Sequence, residues 1–233
     1  MVPKISRSLR LCGAILLLIT FYSIPAFAQP DIEAILKKNR CIECHLFDSQ
    51  QTIAYDQKRA PDLFFAGEKF QEKWLLKFLI DPEIIRPGGY ITDSGYLKGK
   101  PESKSHIRLS RQDAIPVSQY LLTLKSTLLE SVNINNTLEK SKSFRAKQLF
   151  DRQYGCASCH KTQNLMGLVK GGVSGPSLSN AGDRLQGEWI FNMLKNPALF
   201  EKKGRMPIYK IPDNDILLIT KYLLSQLKEN ERK

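Results

Sequence analysis

The chain has 233 residues and is basic, with 35 Lys and Arg side chains against 23 Asp and Glu and a formal net charge of +12. The basic residues are scattered and are not interleaved with stacking aromatic residues, which argues against a nucleic-acid-binding protein. After the first 28 residues, no segment is long and apolar enough to span a bilayer. The composition favours a basic globular protein whose partners carry negative charge.

The first 28 residues have the organisation of a secretory signal peptide. Lys4, Arg7 and Arg10 precede an apolar run from Leu11 to Ile24, and the small-residue sequence Ala-Phe-Ala ends at Ala28. We predict cleavage after Ala28 and export to the periplasm, leaving enough chain for two small domains. An uncleaved leader that acts as a membrane anchor is the alternative.

Apolar residues at helical spacing recur through the rest of the chain. They predict helices around residues 32–36, 74–79, 117–124, 144–150, 189–194 and 216–227. Two of these patterns stop before Asp81-Pro82 and Asn196-Pro197, because the residue before a proline disfavours the helical conformation. No alternating, β-rich run appears, so we predict an all-α protein.

The sequence Cys-x-x-Cys-His occurs twice, at residues 41–45 and 156–160. This motif is typical of covalent c-type haem attachment, in which both cysteines form thioethers and the histidine binds the iron. A zinc site and a redox dithiol are the alternatives for a Cys-x-x-Cys pair. The candidate residues are Cys41, Cys44 and His45 in the first motif and Cys156, Cys159 and His160 in the second.

The two motifs belong to a longer internal repeat with an offset of 115 residues. Residues 60–67 align with residues 175–182, and Trp74 aligns with Trp189. A zinc site that pooled both cysteine pairs would have no need of this duplication. The repeat therefore favours two covalently bound haem c groups, one for each half of the chain.

Each half resembles a class I cytochrome c, a small helical domain built around one haem. The resemblance implies an all-α fold of two tandem class I cytochrome c domains, each wrapped around one covalent haem c. We assign residues 1–28 to the signal peptide, 29–125 to the N-terminal domain, 126–140 to a linker and 141–233 to the C-terminal domain.

The resemblance also implies a contact behind each proximal histidine. In that family a proline carbonyl accepts a hydrogen bond from the histidine, and Pro61 and Pro176, each 16 residues beyond its histidine, match it. Such a contact would fix the tautomer of the imidazole. A proline that merely turns the loop is the alternative.

Met206 is the candidate for the other axial ligand of the second iron. It lies in the sequence Gly-Arg-Met-Pro, 46 residues beyond His160 and just before the last predicted helix, where the family supplies its methionine. Met193 falls on an apolar helix face, and Met166 lies close to the motif, so both fit this role less well.

The first half has no methionine between its motif and its last predicted helix, and its one other histidine is His106. Aligning the last helices of the two halves places His106 two residues past the Met206 position, so we predict that His106 binds the first iron. The first half also has 13 extra residues between Ile84 and His106, interpreted either as a shielding or docking loop or as a tolerated surface loop. The alternative ligands are Lys104 or another nearby lysine, a tyrosine such as Tyr90 or Tyr96, or none, which would leave the position open.

The predicted function is electron transfer by a periplasmic two-haem protein, without catalytic residues, between a respiratory donor and an acceptor. The basic composition predicts redox partners with acidic docking surfaces and allows association with an anionic membrane face. The alternative is a two-haem enzyme whose first iron is open to peroxide or to a small sulfur or nitrogen compound.

Overall fold

The computed structural model describes residues 30–90, 92–93, 96, 106–135, 137–164, 166–201 and 204–228. The predicted signal peptide and Lys104 lie outside these residues, as does most of the insertion that precedes His106. Within the described ranges, no helix has the length and apolar character needed to cross a membrane.

Eight helices and one small sheet make up the described regular structure, together with short turns of 3-10 or π helix. The helices are α1 (Ile32–Lys38), α2 (Ala66–Lys69), α3 (Glu72–Ile80), α4 (Arg111–Thr123), α5 (Lys140–Gln148), α6 (Ala181–Arg184), α7 (Gly187–Lys195) and α8 (Asp213–Leu224). The strands are β1 (Lys161–Gln163) and β2 (Val169–Gly171).

The helices follow the internal repeat. Helix α6 begins and ends 115 residues after α2, and helix α7 begins and ends 115 residues after α3. The last helices, α4 and α8, begin 102 residues apart, at Arg111 and Asp213, because of the insertion in the first half. Side-chain caps begin two helices of the first half, since Asp31 accepts from the Ala34 amide in α1 and Ser110 accepts from the Asp113 amide in α4.

The all-α prediction is wrong, and the fold class of two tandem class I cytochrome c domains is corrected with it. The structure is mixed, because β1 and β2 form an antiparallel sheet in which Thr162 faces Lys170. Each strand has only three residues, too few for a period-2 pattern to be recognised in the sequence. Contacts distant in sequence hold β1 in place, since the Gln163 amide donates to Gln226 Oε1 at 2.8 Å.

The two halves pack against each other within one compact unit, residues 31–233. Phe70 forms an isolated antiparallel bridge with Leu185, its own counterpart at the offset of 115. On either side of this bridge the Gln71 amide donates to Arg184 O, and the Gln186 amide donates to Lys69 O, both at 2.9 Å. The contact is therefore locally two-fold symmetric. The domain boundaries near residues 125 and 141 stay predictions.

One apolar core runs through both halves. Phe65 of the first half lies edge-on to Phe200 of the second, with ring centroids 5.6 Å apart, and is 6.3 Å from the ring of Trp189. The segment after α4 lies along the second half, where the Glu130 and Val132 amides donate to side chains of α7. The largest fully buried side chains are Phe65, Val117, Leu149, Phe150, Ile216, Ile219 and Thr220.

Gln186 provides a test of the contact between the halves. Its Nε2 donates to Gly67 O and to Phe70 O, both at 2.8 Å. Because Gln186→Ala leaves two part-buried carbonyls without this donor, we expect the free energy of unfolding to fall by about 1–3 kcal/mol. Chemical denaturation measures the change. The control Gln51→Ala, at an exposed position, should stay within about 0.5 kcal/mol, and an equal effect of both variants would contradict the role of Gln186.

Candidate haem-attachment site

Each Cys-x-x-Cys-His motif folds into the same tight turn. The segments Cys41–Glu43 and Cys156–Ser158 are 3-10 turns, each preceded by a residue with positive φ, Arg40 at 56° and Gly155 at 62°. The amide of each histidine then donates to the carbonyl of the first cysteine, at 3.1 Å for His45 and 3.0 Å for His160. The turn therefore holds both cysteines and the histidine of each motif in one short piece of backbone.

The described cysteines, Cys41, Cys44, Cys156 and Cys159, are all free thiols. Burial raises the pKa of Cys41 and raises the pKa of Cys156 to about 11. A reactive redox dithiol depends on a thiolate, which the raised pKa values of these two cysteines disfavour. Among the described residues, no group of three or more His, Cys, Asp or Glu is placed to hold a metal ion.

The histidines of both motifs have the same kind of partner. Nδ1 of His45 lies 2.7 Å from Pro61 O, and Nδ1 of His160 lies 2.8 Å from Pro176 O. Since a carbonyl only accepts, Nδ1 donates and the lone pair of the neutral ring is on Nε2. Burial lowers the pKa of His45 to about 4 and lowers the pKa of His160 as well. Both rings are therefore neutral at pH 7, the form in which histidine binds a metal.

His106 lies beside His45. Their ring centroids are 6.0 Å apart, and Nδ1 of His106 is occupied by Ile107 O at 2.8 Å. Two imidazoles bonded to opposite sides of one metal are separated by two bonds of about 2 Å and two ring radii, about 6 Å in all. The ring of Phe78 covers His106 at 5.0 Å, and burial lowers the pKa of His106. The structure thus places two neutral imidazoles at the separation that one iron would require.

The tyrosine alternatives are less suitable than His106. Tyr90 is buried beneath the guanidinium of Arg86, and its burial raises the pKa to about 12, so it does not readily supply a phenolate. The hydroxyl of Tyr96 is buried without a partner among the described residues, and the Arg205 guanidinium lies 5.3 Å from its ring. The neutral imidazole of His106 needs no deprotonation to bind a metal.

The second site differs from the first. Gly175 lies flat against His160, so a Cβ at this position would be 2.6 Å from Cε1 and 2.7 Å from Nδ1 of the ring. The first half has the buried Ala60 at the matching position. Met206 lies in the segment before α8, partly buried against the core. Its bond to the second iron stays a prediction.

The insertion in the first half begins against the second site. The Gly88 amide donates to Val173 O at 2.9 Å, and the Ser177 amide donates to Ile85 O at 2.6 Å. Ser177 directly follows Pro176, whose carbonyl contacts His160. The described start of the insertion therefore supports the loop behind the proximal histidine of the other half.

Two cations at the contact between the halves were not singled out from the sequence. Lys69 Nζ lies 4.7 Å from the ring of Trp189, and the Arg184 guanidinium lies 5.8 Å from the ring of Trp74. Burial lowers the pKa of Lys69 to about 7 and that of Arg184 to about 10. The internal repeat could have drawn attention to these two cations, because residues 69 and 184 are 115 apart, as are residues 74 and 189.

Some donors in this region are incompletely used. Arg184 Nε and Trp189 Nε1 are buried and have no hydrogen-bond partner within the described part of the chain. The Trp74 Nε1 group, in contrast, donates to Glu83 at 3.1 Å. Buried donors without acceptors are costly.

No protein-family model matches the chain, and comparisons with curated proteins and with solved structures find no match.

Gly175 provides a test of the second site. A methyl group added by Gly175→Ala would meet the His160 ring at less than its contact distance, so we expect the free energy of unfolding to fall by about 1–3 kcal/mol. The control Gly187→Ala meets only the end of the Leu224 side chain at 3.0 Å and the Ile134 side chain beyond it. Thermal or chemical unfolding compares the two variants. Equal stability of Gly175→Ala and the parent chain would contradict the close packing on His160.

Proposed function

We propose that the chain is a periplasmic electron-transfer protein that carries two covalently bound haems. The main support is the pair formed by His45 and His106, whose rings are 6.0 Å apart with both Nδ1 atoms bonded to carbonyls. Since both Nδ1 atoms are used, Nε2 is the nitrogen that each ring would offer to an iron, beside a turn that carries two free thiols.

The residues at each site fit a covalent haem. The thiols of Cys41 and Cys44 would hold the first, and those of Cys156 and Cys159 the second, with His45 and His160 as proximal ligands. The haem, when bound, supplies reversible one-electron chemistry. The hydrogen bonds that Nδ1 donates to the carbonyls of Pro61 and Pro176 hold each imidazole in the tautomer whose lone pair is on Nε2. The same hydrogen bonds raise the basicity of each imidazole as a ligand.

The unused donors at the contact between the halves also fit this group. Each haem has two carboxylates, and Arg184 Nε and Trp189 Nε1 are buried donors with no acceptor among the described residues. Lys69 and Arg184 have lowered pKa values because burial disfavours their charged forms. Carboxylates here would counter that cost, because opposite charges favour the ionised state.

Electron transfer is favoured over catalysis at the first site. A two-haem enzyme would need an open position on one iron for its substrate, and the 6.0 Å between the His45 and His106 rings supports His106 as a second ligand there instead. Met206 is the proposed ligand at the second site, and a thioether ligand would raise the reduction potential there. The basic surface would bring the protein to acidic redox partners.

Haem content tests the proposal directly. The purified protein should contain two haems that survive acid extraction, and the double variant Cys156→Ser/Cys159→Ser should contain one, because no thioether can form at a motif that has lost both thiols. Absorbance of the pyridine complexes counts the haems. Cys41→Ser/Cys44→Ser is the matched variant for the first motif. Bound zinc in place of haem would overturn the proposal.

The role of His106 is tested by His106→Ala. Removing this imidazole should turn the first haem from low-spin to high-spin and let it bind carbon monoxide, with the second haem unchanged. Low-temperature electron paramagnetic resonance and carbon monoxide titration measure both effects. The control Tyr96→Phe removes the hydroxyl of an alternative ligand and should change neither spectrum. A first haem that binds carbon monoxide rapidly in the parent chain would instead support the enzyme.

A further inference from the structure

The β1–β2 hairpin has an exposed apolar tip, residues 166–169. Met166 is 78% exposed, and Leu168 and Val169 are each 52% exposed. These three apolar side chains are nearly consecutive, separated only by Gly167. Single exposed apolar residues are common on protein surfaces, whereas an exposed apolar cluster at the end of a hairpin indicates a surface that another molecule covers.

The hairpin tip is held in one conformation by its own hydrogen bonds. Asn164 Oδ1 accepts from the amides of Met166 and Leu168, both at 2.9 Å, and the Asn164 amide donates to Leu168 O at 2.9 Å. Gly167 has a φ of 78°, which favours glycine. The tip therefore presents its apolar side chains without the entropy cost of ordering a loose loop.

The base of the hairpin is fixed to the rest of the protein. Gln163 Nε2 donates to Ser179 O and Leu227 O, and Tyr222 donates to Gln163 O. Directly after β2, the Gly172 amide donates to the carbonyl of Ala157, which lies between the two cysteines of the second motif. A surface bound by the tip would thus be close to the second haem-attachment turn.

The sequence on both sides of the tip carries basic residues and no acidic ones. Lys161 and Lys170 lie in the two strands, and the chain has no Asp or Glu from residue 152 to residue 182. Exposed apolar side chains at the end of a hairpin, with a lysine in each strand, match the boundary of an anionic membrane, where the apolar groups enter the acyl region and the ammonium groups meet phosphates. A stable protein interface needs about 800 Å² on each partner, more than a tip of four residues offers.

We propose that the hairpin tip inserts into the surface of an anionic membrane, with Lys161 and Lys170 bound to lipid phosphates. The insertion would keep the second site of the chain at the membrane surface. This inference rests on the proposed function only for that consequence, because the contact with lipid itself requires no haem.

Hydrogen–deuterium exchange tests the proposal on the full chain with two probes, vesicles of equal parts phosphatidylglycerol and phosphatidylcholine and vesicles of phosphatidylcholine alone. In the presence of the anionic vesicles, the amides of residues 164–171 should exchange severalfold more slowly than in the protein alone. In the presence of the neutral vesicles, their exchange rates should not change. Exchange is measured segment by segment, so binding through the apolar run at residues 11–24 cannot imitate this protection. Unchanged exchange in the hairpin overturns the proposal.

Vesicle binding by paired variants gives the second measurement. Met166→Ser/Leu168→Ser should weaken binding to anionic vesicles at least tenfold, because it removes two of the inserted apolar groups. The control Ile84→Ser/Phe144→Ser removes two side chains that are 53% and 63% exposed elsewhere, and its binding should stay within twofold of the parent. Equal losses in both pairs overturn the proposal.

Two further results distinguish the membrane proposal from a protein-binding tip and from the proposed function. If the tip variant binds vesicles as the parent does but exchanges electrons more slowly with an acidic redox protein, the tip binds protein and the membrane proposal is overturned. Haem content is measured on the same samples. Protection of the hairpin in a chain without haem would support the membrane contact while overturning the proposed function.

Discussion

The reciprocal backbone pairing of residues 69–71 with residues 184–186 is the constraint on which the rest of the arrangement depends. Because each strand-like segment hydrogen-bonds to its own counterpart, the short helices α2 and α6 meet at their C-terminal ends. The cation that ends each helix then lies over the tryptophan of the opposite half. Neither half could place its cation in this way alone.

This pairing also explains why charged groups are buried at the contact. Removing a charged amine or guanidinium from water costs free energy, unless an interaction with the protein compensates for the lost hydration. The faces of Trp189 and Trp74 supply part of the compensation, since a cation is attracted to the face of an aromatic ring. The lowered pKa values of Lys69 and Arg184 show that the compensation from protein groups is incomplete.

The sequence was sufficient for local features with a strong spacing signal. The Cys-x-x-Cys-His turns, the helices around the two tryptophans and the offset of 115 residues could all be read from the chain. The hairpin was missed because its strands are short and their pairing depends on Gln226, more than 50 residues away. The approach of His106 to His45 could be proposed from the scarcity of histidine, but its distance required the packing of Phe78. The cations were missed because nothing local distinguishes a lysine at a helix end from a solvated one.

The two-fold contact around Phe70 and Leu185 has the form of an isologous interface, in which one surface binds a copy of itself. A single half of this chain could make the same contact as a homodimer, which suits an origin by duplication and fusion of a dimeric ancestor. The two subunits of a homodimer have the same sequence, so every position in one subunit is identical to that position in the other. Once the copies are joined in one chain, each position can vary alone, and this sequence has His106 in one half and Met206 in the other. Fusion thus permits a symmetric contact to join two halves that are no longer identical in sequence.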